Sequence, residues 1–188
     1  MTNYPPLYIL RHGETEWNVE GRLQGRHDSP LTAQGRAQAR AQNAILKRCD
    51  LTGFTALTSP QKRAQDTATI ALEGLLPFAA DEGLAEIGLG AWAGRERAAL
   101  LANCPRARDS FDLYEEAPGG EGFAALYKRC QAFLGRLDGP HVLITHGITS
   151  RMLRLILTGR DIDQLRRIQG GQGVVFEIID GQQRRLKL

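Results

Sequence analysis

Cysteine is scarce in this chain of 188 residues: there are three, Cys49, Cys104 and Cys130, and they lie far apart. The odd number and the lack of a Cys-x-x-Cys pair exclude a disulfide framework and a thiolate zinc site, which leaves each as a small packing residue. No dense basic run is interleaved with aromatics. Arg166-Arg167 and Arg184-Arg185-Leu186-Lys187 are short and the net charge is only +3, so no nucleic-acid partner is expected. No apolar stretch approaches the length of a membrane span, and the N-terminus lacks the basic flank and long apolar core of a signal peptide. The expectation is a cytoplasmic protein without a membrane partner. No carboxylates cluster at metal-ligand spacing, so no metal and no cofactor are expected. A Gly-rich lysine motif is missing too, because Gly170-Gly171-Gln172-Gly173 has no strand-loop-helix context and reads as a turn. Internal repeats and low-complexity tracts do not occur.

What is present is an ordinary globular composition, 42% hydrophobic and 24% charged, over a length that suits one domain. Short apolar runs alternate with helical patterns. Residues 7–10 follow Pro5-Pro6 and read as a buried strand. Residues 33–47, rich in Ala, Gln and Arg, predict a helix with Ser29 or Thr32 as its cap. Residues 54–58 predict a second strand, and its helix would follow with Ser59 as cap and Pro60 at the first helical position. A third strand is expected within 75–80, and a helix within 95–102. Another helix would run to about Leu137, with Glu121 in its first turn and Phe123, Leu126, Tyr127, Cys130, Phe133, Leu134 and Leu137 as a core stripe. Residues 141–145 form a strand with His141 structural or solvated at its start, and a helix spans about 148–157. Two strands, 174–179 and 184–188, close the chain around Asp180-Gly181. This alternation argues for α/β architecture with a mainly parallel sheet covered on both faces.

The chemistry gathers at strand ends, where ligand sites of open α/β sheets lie. Arg11 and His12 end the first strand before Gly13, which lets the backbone turn. A guanidinium fork matches phosphate oxygens, and a neutral imidazole is a competent nucleophile. Arg63 follows the second strand at a helix N-terminus, a place that favours anions. His146 repeats the placement of His12, at a strand end before a glycine. Glu86, between apolar neighbours in a glycine-rich loop, could serve as a general acid. Asn18, Arg22 and Gln24 could donate to a bound anion or satisfy their own loop's backbone. Trp92 reads as packing.

Four blocks in order carry a resemblance to a known family. Arg11-His12-Gly13-Glu14-Thr15-Glu16-Trp17-Asn18, Ser59-Pro60-x-x-Arg63-Ala64-x-x-Thr67-Ala68, Leu84-x-Glu86-x-x-x-Gly90-x-Trp92-x-Gly94 and Thr145-His146-Gly147 resemble the motifs of the histidine phosphatase superfamily. The resemblance implies a three-layer α/β/α sandwich of the phosphoglycerate mutase-like kind, as one domain over 1–188 with a specificity lid around 95–121. It implies His12 as nucleophile, with Arg11, Arg63 and His146 holding the phosphoryl group and Glu86 as acid and base. Asn18, Gln24 and Gly25 would line the phosphate pocket.

Arg22-Leu23-Gln24-Gly25 and Glu86-Ile87-Gly88-Leu89-Gly90 look like the phosphatase branch. Mutases carry Glu-Arg-His-Tyr-Gly at the latter and add segments that this chain is short for. The expected activity is metal-independent hydrolysis of a small phosphorylated metabolite through phosphohistidine. A cofactor-dependent phosphoglycerate mutase and a non-catalytic phosphoryl-binding scaffold are the alternatives. Gln169, before Gly170-Gly171, departs from the Asn of many relatives. The substrate's identity and the oligomeric state are not legible in these residues.

Overall fold

Strand β1, Leu7–Arg11, sends alternate side chains into two cores, as strand geometry requires. The computed structural model describes residues 4–188; residues 1–3 of the expected domain lie outside the described residues. Leu7 and Ile9 face a core built on helices α6 (Gly122–Leu134) and α7 (Gly147–Leu157). Tyr8 and Leu10 face the opposite core. Helices α2 (Ala33–Leu46) and α3 (Lys62–Ala71) build that side through small residues such as Ala64, Ala68 and Ala71. Ile9 and Leu10 are both fully buried, so truncating either to Ala should cost about 2–5 kcal/mol.

The remaining strands are β2 (Thr55–Thr58), β3 (Phe78–Ala80), β4 (His141–Thr145), β5 (Val175–Ile179) and β6 (Gln182–Leu186). They form one six-stranded sheet in the order β3-β2-β4-β1-β5-β6. The first three neighbouring pairs are parallel, whereas β5 and β6 are antiparallel additions. The expected α/β/α layering with a mainly parallel sheet is therefore present. All of the parallel strands end at the same edge. Among the described residues no helix is long and apolar enough to cross a membrane.

Several boundaries differ from the sequence expectation. Helix α3 begins at Lys62 with Gln61 as its N-cap residue, two positions beyond the expected Pro60. Its free N–H groups are satisfied from a distance: Asp28 accepts from the backbone N–H of Lys62 (2.9 Å) and Arg63 (3.2 Å). Ser59 is thereby released for another partner. Thr32, not Ser29, caps α2 by accepting from Gly35 N–H. Helix α6 stops at Leu134, before Leu137, with Gly135 as its C-cap residue. Glu121 precedes that helix and accepts from Gly88 N–H while pairing with Arg129. The closing strands shift to 175–179 and 182–186, because Asp180 (φ 51°) and Gly181 (φ 72°) make a two-residue turn of positive φ. His141 is buried, with Nδ1 at 2.6 Å from the Gly139 carbonyl, so it is structural.

Candidate active site

The turn after β1 is tied down on every side. Gln42, fully buried on α2, donates to the Arg11 carbonyl (2.9 Å), Gly13 N–H donates to Thr67 Oγ1 (3.0 Å), and Glu14 N–H donates to Gln38 Oε1 (2.8 Å). Gly13 and Gly35 interlock. A Cβ on Gly13 would lie 2.2 Å from the Gly35 carbonyl oxygen, and one on Gly35 would lie 2.0 Å from that of Glu14. Only glycine permits so close an approach of two backbones.

This turn presents His12, which is 3% exposed. Its Nδ1 lies 2.7 Å from the Gly13 carbonyl, an acceptor, so Nδ1 carries the proton and Nε2 keeps the lone pair. Burial first, then the Arg63 and Arg11 cations, hold the His12 pKa well below the usual imidazole value. The ring is thus neutral at pH 7, the form a nucleophile requires. Arg63 Nε lies 3.3 Å from His12 Nε2. The rest of the Arg63 fork is anchored to the preceding loop, donating to the carbonyls of His27 (2.5 Å) and Gly25 (2.7 Å) and to Asp28 (2.8 Å). One of the five guanidinium N–H groups is left for a ligand.

His146 stands at the end of β4, fully buried, its ring centroid 5.1 Å from that of His12. Burial, Arg63, His12 and Arg11 depress its pKa well below the usual value. Its Nε2 pairs with Ser59 Oγ (2.7 Å), and Ser59 in turn bonds Gln61. Its Nδ1 is buried without a partner, as is Nε of Arg11.

Glu86 arrives on a loop held by three elements. Thr145 Oγ1 donates to the Leu84 carbonyl, and Arg129 donates to those of Gly83 and Ala85. The carboxylate itself caps α7. Oε1 accepts from Thr149 N–H (3.0 Å) and lies 3.0 Å from the Thr149 hydroxyl, while Oε2 accepts from Ile148 N–H (3.2 Å). Gly147 separates it from Arg11: a Cβ there would sit 3.5 Å from Arg11 Cζ and 3.7 Å from Glu86 Oε2.

Arg11, His12, Arg63 and Glu86 share the wall of one cavity of about 220 Å³, together with Asn18, Gln24 and Gly25. His146 lies one layer behind that wall. Asn18 and Gln24 do both things the sequence allowed. They reach the cavity and they also hold their loop, Asn18 accepting from Thr15 N–H within the capping box of the short helix α1 (Glu16–Val19) and Gln24 donating to Thr15 Oγ1 (2.7 Å). Arg22 lines the cavity too, while donating to the Gly94 carbonyl and pairing with Glu20. Gln169 is exposed; it is Gln172 that reaches the site, with Nε2 3.2 Å from the His12 carbonyl.

The segment following Gly94 folds over the cavity as α4 (Arg97–Ala102) and α5 (Leu113–Glu116), around a small core of Leu23, Leu89, Leu113 and Ala117. Trp92 packs against that core, as expected. Arg97, Ser110, Phe111 and Tyr114 from this segment, and Arg151 from α7, complete the wall. Sequence reasoning missed these residues. Arg151 had a signal, since it sits four residues after Gly147 on the same helical face. Arg97 and Tyr114 had none. Among the described residues, no group of three or more His, Cys, Asp or Glu is placed to hold a metal ion.

Comparison with known proteins gives a consistent result. A family model described as the histidine phosphatase superfamily (branch 1) matches residues 7–188. Phosphoserine phosphatase 1 of Hydrogenobacter thermophilus is 29% identical over 191 residues, covering 95% of this chain and 88% of its own. The adenosylcobalamin/alpha-ribazole phosphatase of Salmonella typhimurium is 32% identical over 162 residues, with 81% of this chain and 79% of its own covered. Among solved structures, the mycobacterial glucosyl-3-phosphoglycerate phosphatase in complex with VO3 superposes with a TM-score of 0.81 at 29% identity. That match covers 97% of this chain and 98% of the other.

Proposed function

Since the chain belongs to the histidine phosphatase superfamily, we propose that it hydrolyses small phosphomonoesters through a phosphohistidine on His12. The observation that carries this reading is the His12 tautomer. Nδ1–H is committed to the Gly13 carbonyl, and the Nε2 lone pair lies beside the Arg63 fork.

In the first step the Nε2 lone pair attacks phosphorus, the ester P–O bond breaks, and the leaving oxygen takes the proton of the Glu86 carboxyl group. Arg11 and Arg63 hold the equatorial oxygens, whose charge is spread in a loose transition state. The unpartnered Nδ1 of His146 is available to the same oxygens. Burial first, and then the surrounding cations, keep His146 neutral, and a dianionic phosphoryl group offsets the cations' share of that shift as substrate binds. In the second step water attacks the phosphohistidine, Glu86 accepts the water proton, and the N–P bond breaks to release inorganic phosphate. The relatives named as phosphatases support hydrolysis. The α4–α5 segment is the proposed specificity lid, because it supplies Arg97, Ser110, Phe111 and Tyr114 to the cavity wall.

The test is Glu86→Gln with an aryl phosphate, whose leaving group needs little protonation. Acid and base catalysis by one residue is worth roughly 10²–10⁴-fold. The first step should survive and the second stall, so acid-labile phosphohistidine should accumulate and vanish in His12→Ala. Full turnover by the His12→Ala variant would overturn the reading, as would an E86Q enzyme that turns over alkyl esters at the wild-type rate.

A further inference from the structure

The cavity wall carries more positive charge than a phosphoryl group can use. Arg11 and Arg63 flank His12, and a phosphomonoester brings about −1.5 to −2 charges at pH 7. Those two guanidiniums therefore balance it. Arg97 and Arg151 remain on the same wall. Neither makes an ion pair among the described residues, and the Nε of each is buried without a partner.

The lid's own carboxylates are committed elsewhere. Asp109 and Asp112 pair with Arg166, Asp112 also pairs with Arg108, and Glu116 pairs with Arg106. Arg151 is held in place by stacking, its Cζ 5.8 Å from the Phe111 ring centroid. The distance between the two charge clusters is set by α7. Arg11 lies over Gly147, and Arg151 follows four residues later, one turn or about 6 Å along the helix. Half-buried Tyr114 stands in the field of both clusters, and desolvation is the leading cause that keeps its hydroxyl in the protonated, donating form. A cavity of 220 Å³ holds the equivalent of about seven waters, which favours a short molecule over a bulky one.

We propose that Arg97 and Arg151, with Tyr114 beside them, form a second anion subsite, so that the preferred substrates are small phosphomonoesters bearing a further carboxylate or phosphate a short carbon spacer from the ester. This rests on the phosphatase reading above. Neutral and cationic phosphate esters of equal size leave the two guanidiniums unpaired and are poor substrates. Lid and helix thus select by charge, while β1 and α3 perform the chemistry.

The experiment is phosphate release from four matched esters: 3-phosphoglycerate, a terminal three-carbon bisphosphate, glycerol 3-phosphate and phosphoethanolamine. Each is assayed with wild type, Arg97→Met, Arg151→Met, the double variant, and the Arg→Lys counterparts. Wild type should favour the doubly anionic esters by roughly 10–100-fold in kcat/KM, as one or two lost charge-assisted hydrogen bonds imply. The double Met variant should erase that ratio, chiefly through KM, and the Lys variants should restore part of it. The carboxylate and bisphosphate arms decide which anion the subsite prefers. A wild type that releases phosphate from all four esters without preference overturns the subsite. So does a folded double variant, verified by its thermal melt, that keeps the ratio. No release from any ester by wild type overturns the phosphatase reading itself, so the two failures are distinct.

Discussion

Replacing Arg63 by Met separates the roles of charge, fork and scaffold. The wild-type side chain makes four hydrogen bonds, to His12 Nε2, Asp28 and the carbonyls of Gly25 and His27, at 1% exposure. Losing one preorganised donor from a transferring group costs about 2.7–4 kcal/mol, a 10²–10³-fold fall in kcat. Scaffold damage is read separately, as a loss of stability and not of kcat. Asp28 keeps its bonds from the backbone N–H groups of residues 62 and 63, and two orphaned carbonyls cost about 1–3 kcal/mol each at most.

The imidazole responds as well. Burial is the leading cause of the low His12 pKa and Arg63 the second, so removing the cation moves it upward while burial still holds it below the usual value. His12 therefore stays neutral above pH 7 in the variant, and the rate loss should be the same at pH 7 and pH 8. Arg63→Lys retains a point charge without the planar fork and should recover only part of the activity. The assay is kcat/KM for phosphate release at both pH values, with a thermal melt for each variant. A folded R63M enzyme within threefold of wild type would falsify the claim that this fork holds the phosphoryl group.

Two further outcomes follow from the geometry. Gly35→Ala touches no cavity-lining residue, yet its methyl would lie 2.0 Å from the Glu14 carbonyl oxygen, so the His12 turn must shift; overpacking of about 1–3 kcal/mol and a roughly 10²-fold drop in kcat are expected, and wild-type kcat would refute the interlock. Stability should also depend on pH through His12 and His146, whose folded pKa values are both depressed. The unfolded chain then binds protons first, so this contribution is intact above the unfolded value of about 6.5 and is lost as pH falls toward the folded values, at up to about 2.7 kcal/mol per pH unit. Urea midpoints in phosphate-free buffer that are flat from pH 7.5 to 5 would contradict it.

The site was legible where chemistry is written at strand ends. Arg11, His12 and His146 each terminate a strand before a glycine, and parallel pairing of β1, β2 and β4 brings those ends together. Arg63 was found by the same rule although its helix starts later than the Ser59-Pro60 pattern implied. That start is set by Asp28, some 35 positions away in sequence, and no local signal marks such a cap. The lid was visible only as a stretch without clear periodicity. Its helices are 6 and 4 residues long and are held by a private core and by ion pairs to Arg166, so tertiary contact rather than propensity makes them. Gln172 belongs to the same class: the sequence directed attention to Gln169, but the side chain that reaches His12 is three residues on, placed there by the strap that Arg154 anchors at the Gln169 carbonyl.

Buried polar atoms without partners are rare in folded proteins, so their location carries information. Apart from Gln42 and Thr58, those among the described residues belong to residues in or directly behind the cavity, namely Arg11, Arg22, Gln24, Arg97, His146 and Arg151. Elsewhere the molecule satisfies even awkward groups. Arg154, fully buried, has its guanidinium 3.8 Å from the Phe176 ring centroid and donates to Ser150, Gln183 and Gln169. A fold that can house a lone buried guanidinium on neutral partners could have done the same for Arg11, Arg97 and Arg151. Leaving their donors unspent destabilises the free protein and costs nothing once an anion arrives. That asymmetry lets Arg11, together with Arg63, add to the burial that depresses two imidazoles before binding and stabilise a dianion after it.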